Sequence, residues 1–240
     1  MAQIFIPQGE FRMGFNSGLE NEKPEHTVYV DDYWMDKTEV TNKQYGQCVV
    51  ANVCAEPIDL NMQVSGIYRD VKFAHHPVVF VDRRQAETYC AWAGRRLPTE
   101  AEWEKAARGT DGRIYPWGNL FDGSKVNFCD TNCWNSWKDD NSNDGYVTTS
   151  PVGTYLNGAS PYTVLDMAGN VYEWVADLSG PYPNGSQINP RGPNSGSEYI
   201  LRGGSWGDDS LHVRIVLRSD EPPDLRRDFI GFRCAQSASP

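Results

Sequence analysis

Arg96-Leu97-Pro98-Thr99-Glu100-Ala101-Glu102-Trp103-Glu104 carries the densest local signal in the chain. Pro98 suits the start of a helix, Thr99 and Glu102 stand at capping-box spacing, and Trp103, Ala106 and Ala107 share a face until Gly109 ends the run. These residues predict a short amphipathic helix. Two more helices are marked in the same way, one by Thr41 with Gln44 and one by Asp82 with Gln85. After Asp82, residues Ala86, Tyr89, Cys90 and Ala93 repeat at helical spacing and Gly94 stands where a left-handed cap closes the helix, so Cys90 faces the core.

Outward from this centre the periodicity changes. Ile4-Phe5-Ile6, Phe11-Arg12-Met13-Gly14 and Thr27-Val28-Tyr29-Val30 read as short opening strands. Val171-Tyr172-Glu173-Trp174-Val175, Tyr199-Ile200-Leu201-Arg202 and Ile230-Gly231-Phe232-Arg233-Cys234-Ala235 read as core strands. Between them, Thr110 to Pro161 is Gly, Asn, Asp and Ser with isolated aromatics, too long for a free connection unless disulfides or a metal pin it. With 22 Gly and 15 Pro the chain is rich in turns, while 8 Trp, 12 Tyr and 9 Phe supply one sizeable core. No linker or internal repeat divides it. The expectation is a single α+β domain over residues 1–240 with much irregular structure.

A net charge of -10 argues against a nucleic-acid partner, whose phosphates require clustered Lys and Arg. No apolar run reaches the ~18 residues of a membrane-spanning helix, and Met1-Ala2-Gln3-Ile4-Phe5-Ile6-Pro7 lacks the basic and apolar regions of a secretory signal. Six cysteines form two close pairs, Cys48/Cys54 and Cys129/Cys133, leaving Cys90 and Cys234 for a long-range staple, although six cysteines allow 15 connectivities. Zinc binding and buried free thiols are the alternatives, but the spacings and the positions of His26, His75, His76 and His212 suit zinc poorly. Three bridges would imply an oxidising, extracytoplasmic or cell-surface setting, or a thermophilic cytoplasm.

Seven segments occur in an order that resembles the sulfatase-modifying-factor, or formylglycine-generating-enzyme, family. They are Glu39-Val40-Thr41-Asn42, Tyr89-Cys90-Ala91-Trp92-Ala93-Gly94, the opening nonapeptide, Tyr115-Pro116-Trp117-Gly118, Asp166-Met167-Ala168-Gly169-Asn170-Val171-Tyr172-Glu173-Trp174, Arg202-Gly203-Gly204-Ser205-Trp206 and Gly231-Phe232-Arg233-Cys234-Ala235. The resemblance implies a C-type-lectin-like fold with little regular structure and a Cys90–Cys234 bridge. Fold alone does not settle function.

The family's oxidase converts a cysteine of a protein substrate to formylglycine with copper held by two cysteines shortly after Arg-Gly-Gly-Ser. Here that stretch reads Gly207-Asp208-Asp209-Ser210-Leu211-His212-Val213-Arg214, without a thiol to hold Cu(I). No copper is expected, no catalytic residue is assigned, and His212 alone is a poor substitute. A related branch of sulfoxide synthases holds iron with three histidines, a cluster this chain lacks.

From Trp206 to Arg233 a regular framework alternates with positions of mixed chemistry, a layout that resembles the variable region of diversity-generating-retroelement proteins. Residues 202–234 are therefore read as a variable ligand-binding region for a protein or other macromolecule. Leu211, Leu217, Leu225 and Phe229 are expected as exposed anchors beside Trp206, with Asp208, Asp209, His212, Ser219, Asp220, Glu221, Arg227 and Asp228 setting polarity. A monomer is expected. The alternatives are an oxidase of the same family, a module of a multidomain signalling protein, and an ordinary solvated loop.

The resemblance also implies structural calcium at two loop sites, Asn127, Phe128, Asp144 and Tyr146 for one and Asp166, Gly169, Val171 and Glu173 for the other. Carboxylate, amide and backbone oxygens are the donors that calcium takes.

Overall fold

In the computed structural model, which describes residues 2–58 and 67–238, all three capping boxes close. The side chains of Thr41, Asp82 and Thr99 accept from the amides of Gln44, Gln85 and Glu102, whose own side chains accept from the cap amides in return. They open α1 (Asn42–Val50), α2 (Arg83–Trp92) and α3 (Glu100–Arg108). Gly94 follows α2 with φ of +72°, as the sequence predicts. The first residue and the last two of the expected 1–240 span lie outside the described residues.

Ten short strands accompany the helices among the described residues: β1 (Gln3–Ile6), β2 (Gly9–Met13), β3 (His26–Val30), β4 (Tyr33–Asp36), β5 (Tyr172–Leu178), β6 (Gln187–Ile188), β7 (Tyr199–Arg202), β8 (Arg218–Glu221), β9 (Ile230–Gly231) and β10 (Ala235–Ser237). They form three sheets, ordered β1-β4-β10, β2-β3-β6 and β8-β7-β5-β9. The fold is α+β and rich in loops. The strand expected over Ile230–Ala235 is split into β9 and β10. Between them Arg233 turns inward to Glu173, Cys234 joins Cys90, and the Cys234 amide donates to Asp36.

The expected amphipathic helix over α3 is instead buried all round, polar residues included. Each of its charges finds a partner inside, which removes the need for water. Glu104 receives the guanidinium of Arg108 at 3.0 Å and that of Arg202, and Glu100 receives Arg218 at 2.7 and 2.9 Å. Lys105 donates to the carbonyls of Pro7, Gly9 and Val30 at 2.7, 3.0 and 3.3 Å, clamping the helix to β2 and β3. Burial pulls its ammonium down to about 8.

Three disulfides join Cys48 to Cys54, Cys90 to Cys234, and Cys129 to Cys133. The third closes a small ring inside the long segment 110–161, which otherwise runs as turns and two single-turn 3-10 helices. Among the described residues no helix is long and apolar enough to cross a membrane.

Candidate ligand-binding cleft

Arg202 ends β7, and the chain then turns on Gly203 and Gly204 with φ of +98° and +73°. A Cβ on Gly204 would stand 2.5 Å from the His212 carbonyl oxygen, so only glycine lets the turn pass beneath the following loop. Beyond it the Ser205 hydroxyl donates to Asp208 at 2.6 Å, and the Trp206 indole donates to the Asp228 carbonyl at 3.2 Å. The opposite wall is the disulfide loop. The Cys129 amide donates to the Asp208 carbonyl at 2.8 Å, while the Asn135 amide and Trp137 indole both donate to the Gly207 carbonyl, at 3.1 and 3.0 Å.

Between these walls lies a cleft of about 660 Å³, lined by Trp134, Trp137, Tyr172, Trp206 and Phe229 together with Asp208 and Asp228. Trp206 is 5% exposed, whereas Trp134 and Trp137 are 66% and 57% exposed. Burial, and then the Asp208 carboxylate, push the Tyr172 phenol well above its ordinary range, and burial raises Asp208 likewise. The cleft offers ring faces and carboxylate oxygens.

The residues expected as one binding surface do not stay together. Trp206, Asp208, Asp228 and Phe229 meet in the cleft. Asp209, Leu211 and His212 lie just beyond it: Leu211 is exposed, and His212 pairs through Nδ1 with Asp209 at 2.7 Å. Burial works to raise Asp209, but the bond from His212, its charge and the backbone amides of His212 and Leu211 together outweigh it and hold the carboxyl below its usual range. Ser219, Asp220 and Glu221 belong to β8, at the far edge of the four-stranded sheet from β9, so they do not join the cleft. Arg227 is exposed, and Leu225 packs half-buried against the core around α2.

Leu217, expected as an exposed anchor, is buried at 4% exposure. The cause is Arg202, whose guanidinium collects the carbonyls of Ile215, Val216 and Leu217 and draws this segment inward. The sequence reading also missed Trp134, Trp137 and Tyr172. Two tryptophans set in polar turn-forming text next to a short cysteine pair were the available signal.

The first set of calcium residues fits a hard cation. The Asn127 side-chain oxygen is buried without a hydrogen-bond partner. Asp144 is pushed up to about 7 by burial and by neighbouring Asp130, whose carboxylate also accepts the Asp144 amide. The amides of Phe128 and Tyr146 donate to Asp144 at 3.2 and 2.8 Å. Around the second set three buried carboxylates, Glu39, Asp166 and Glu173, face Arg233. Glu173 is taken up by Arg233 at 2.6 and 2.7 Å and by the Trp103 indole at 2.9 Å. Burial, and then Asp166, raise Glu39 far above the carboxylate range, so carboxylates crowd at both sets, while at the second the Glu173 oxygens are already engaged by Arg233 and Trp103. Among the described residues no three His, Cys, Asp or Glu side chains gather closely enough to hold a metal by themselves.

Fold and cleft together define a C-type-lectin-like scaffold, loop-rich and built around buried arginine–carboxylate pairs. The chain belongs to the sulfatase-modifying factor enzyme 1-like domain family, which matches residues 1–238. It is 35% identical to the formylglycine-generating enzyme of Streptomyces coelicolor, over 98% of this chain and 89% of that protein. It is 32% identical to the inactive C-alpha-formylglycine-generating enzyme 2 of Bos taurus, over 98% and 88%. Treponema denticola variable protein 1 shares the fold with a TM-score of 0.74, at 22% identity over 98% of this chain and 94% of that one. The family thus includes an enzyme and an inactive relative.

Proposed function

We propose that this chain is a single-domain, non-catalytic ligand-binding protein that presents the aromatic cleft, within a variable segment 202–234, to a protein or other macromolecule. One observation carries the reading: the stretch after the Gly203–Gly204 turn forms a wall of an open aromatic cleft and bears no thiol, and all six cysteines are joined in disulfides. The copper chemistry of the family's oxidase needs free thiolates. The 35% identity to the Streptomyces coelicolor enzyme favours the second reading, a formylglycine-generating oxidase acting on a protein cysteine.

Calcium bound by Asn127 and Asp144, with the carbonyls of Phe128 and Tyr146, would brace the loop that carries Trp134 and Trp137. Three disulfides agree with an extracytoplasmic or cell-surface setting. A monomer is the expected state. The variable-region reading is tested in the DNA flanking the gene. A near-copy of codons 202–234 that differs only at adenines, beside a reverse transcriptase, is expected; an intact flanking region without one overturns it.

A further inference from the structure

The chain contains two Asn-Gly steps, Asn157-Gly158 and Asn184-Gly185. Asparagine is among the thermolabile side chains. At such a step its side-chain carbonyl carbon can meet the next backbone nitrogen, and glycine puts no Cβ in the way. The outcome depends on whether the structure leaves that nitrogen free.

At Asn157 it does not. Gly158 is buried in the single-turn 3-10 helix Leu156–Gly158, and its amide donates to the Tyr155 carbonyl at 2.9 Å. A Cβ there would stand 2.1 Å from the Lys125 carbonyl oxygen, so the packing gives this backbone no room to turn. Asn184 is the opposite case. Both Asn184 and Gly185 are exposed, and Gly185 takes a φ of +92°. Neither the Asn184 side chain nor the Gly185 amide has a hydrogen-bond partner among the described residues. A Cβ built on Gly185 would meet nothing within 4 Å, so the step is open to solvent.

This step sits in a short bridge held at both ends. On one side the Arg218 guanidinium lies 4.0 Å from the Tyr182 ring centroid, and the Tyr182 hydroxyl donates to Glu100 at 3.1 Å. On the other, Gln187 and Ile188 of β6 pair with Val28 and Tyr29, and Asn189 exchanges two hydrogen bonds of 2.8 Å with Asp31. Pro183-Asn184-Gly185-Ser186 spans the gap between these anchors.

We infer that Asn184 is a site of spontaneous deamidation, with water as the only co-reactant, and that its main product, isoaspartate, loosens β6. The Gly185 amide nitrogen gives its proton to solvent and attacks Asn184 Cγ. A new N–Cγ bond closes a five-membered imide, the Cγ–Nδ2 bond breaks, and Nδ2 leaves as ammonia with a proton taken from solvent. Water then opens the imide. Cleavage at Cγ restores the ordinary chain as aspartate, whereas cleavage at the backbone carbonyl carbon leaves isoaspartate, with the chain running through Cγ. No electrons are exchanged. Either product adds one negative charge to the net charge of -10. Isoaspartate also lengthens the bridge by one carbon, a bond of about 1.5 Å. With only two residues, β6 yields before Tyr182, which packs on the Arg218–Glu100 ion pair.

The test incubates the whole folded chain in mildly alkaline buffer below its unfolding transition. Peptides are followed by tandem mass spectrometry, and labelling by an isoaspartate methyltransferase separates isoaspartate from aspartate. Residue 184 is expected to convert at least tenfold faster than Asn157, with isoaspartate in excess. Equal rates at the two positions would overturn the protection argued for Asn157. An intact Asn184, over a time in which a synthetic peptide of residues 181–188 converts fully, would overturn the site. For the consequence, the isoaspartate form is isolated by ion exchange and compared with Asn184→Asp, which carries the same charge without the extra carbon. At an exposed position Asn184→Asp leaves the fold in place, which unchanged thermal unfolding verifies. The readout is hydrogen exchange at the Asn189 amide, which donates to the Tyr29 carbonyl at 2.8 Å in the parent. At least tenfold faster exchange is expected in the isoaspartate form alone. Equal exchange in the two proteins would overturn the loosening of β6 while leaving the modification in place.

Discussion

The indole of Trp134 stands edge-on to that of Trp206, with ring centroids 5.4 Å apart and planes inclined at 71°. One ring sits on the disulfide loop and the other follows the Gly203–Gly204 turn, so the cleft depends on both walls keeping their places. Edge-to-face geometry suits the ring quadrupoles. Exposed Trp134 is thereby held by a nearly buried partner.

The two bridges differ in what they hold. Cys90–Cys234 spans a sequence separation of 144 and Cys129–Cys133 one of 4. Loop-closure entropy then gives losses of about 5 and about 2 kcal/mol when each pair is replaced by serine. Denaturant unfolding checks the order. The Cys129→Ser, Cys133→Ser double variant is also expected to change tryptophan fluorescence, because it frees the loop that positions Trp134.

Leu217 and Leu211 make a direct contrast within the same segment. Leu217 is buried, and Leu217→Ala is expected to cost about 2–5 kcal/mol. Leu211 is 62% exposed, and Leu211→Ala should stay within about 0.5 kcal/mol of the parent. Equal unfolding midpoints for the two variants would contradict the burial of the 213–217 segment.

That contrast marks how far the sequence could be read. Thr41, Asp82 and Thr99 were legible because a capping box is closed within four residues, and its chemistry is complete in the local text. The partner of Glu104 was not legible. Arg202 lies 98 positions away, so a helix face that reads as solvated is closed by an ion pair that no local pattern announces. Leu217 was misread for the same reason, since its burial follows from the carbonyls that Arg202 gathers. In the cleft, Trp206 and Phe229 were found through a resemblance, whereas Trp134 and Trp137 enter through a disulfide loop without periodicity.

Asp177 gives stability a predictable pH dependence. Burial, and then the Glu100 carboxylate, push it up to about 7, from an ordinary value of 3.8. The folded chain therefore keeps a proton that the unfolded chain has released. Its contribution is fully present below about pH 4 and is lost as pH rises through 7. Asp177→Asn cannot ionise but still accepts the Glu100 amide, a bond that is 2.8 Å in the parent. Thermal unfolding from pH 4 to 9 should show the variant gaining on the parent up to about pH 8 and then running parallel. A gap independent of pH would contradict the assignment.

Calcium should raise the unfolding temperature of the parent, and chelation should reverse the gain. At a calcium concentration 100 times Kd the stabilisation is about 2.7 kcal/mol. Asn127→Ala is expected to abolish the response, whereas Glu39→Gln, beside the second set, should retain it. A response lost in Glu39→Gln and kept in Asn127→Ala would reverse the choice between the two sets.

The most direct test of binding without oxidation is to load the whole chain with Cu(I) and incubate it with oxygen and a cysteine-containing peptide, following the peptide by mass spectrometry. No tight copper binding is expected, and the peptide should keep its thiol. Stoichiometric copper uptake with turnover of the cysteine to formylglycine would contradict it and establish an oxidase.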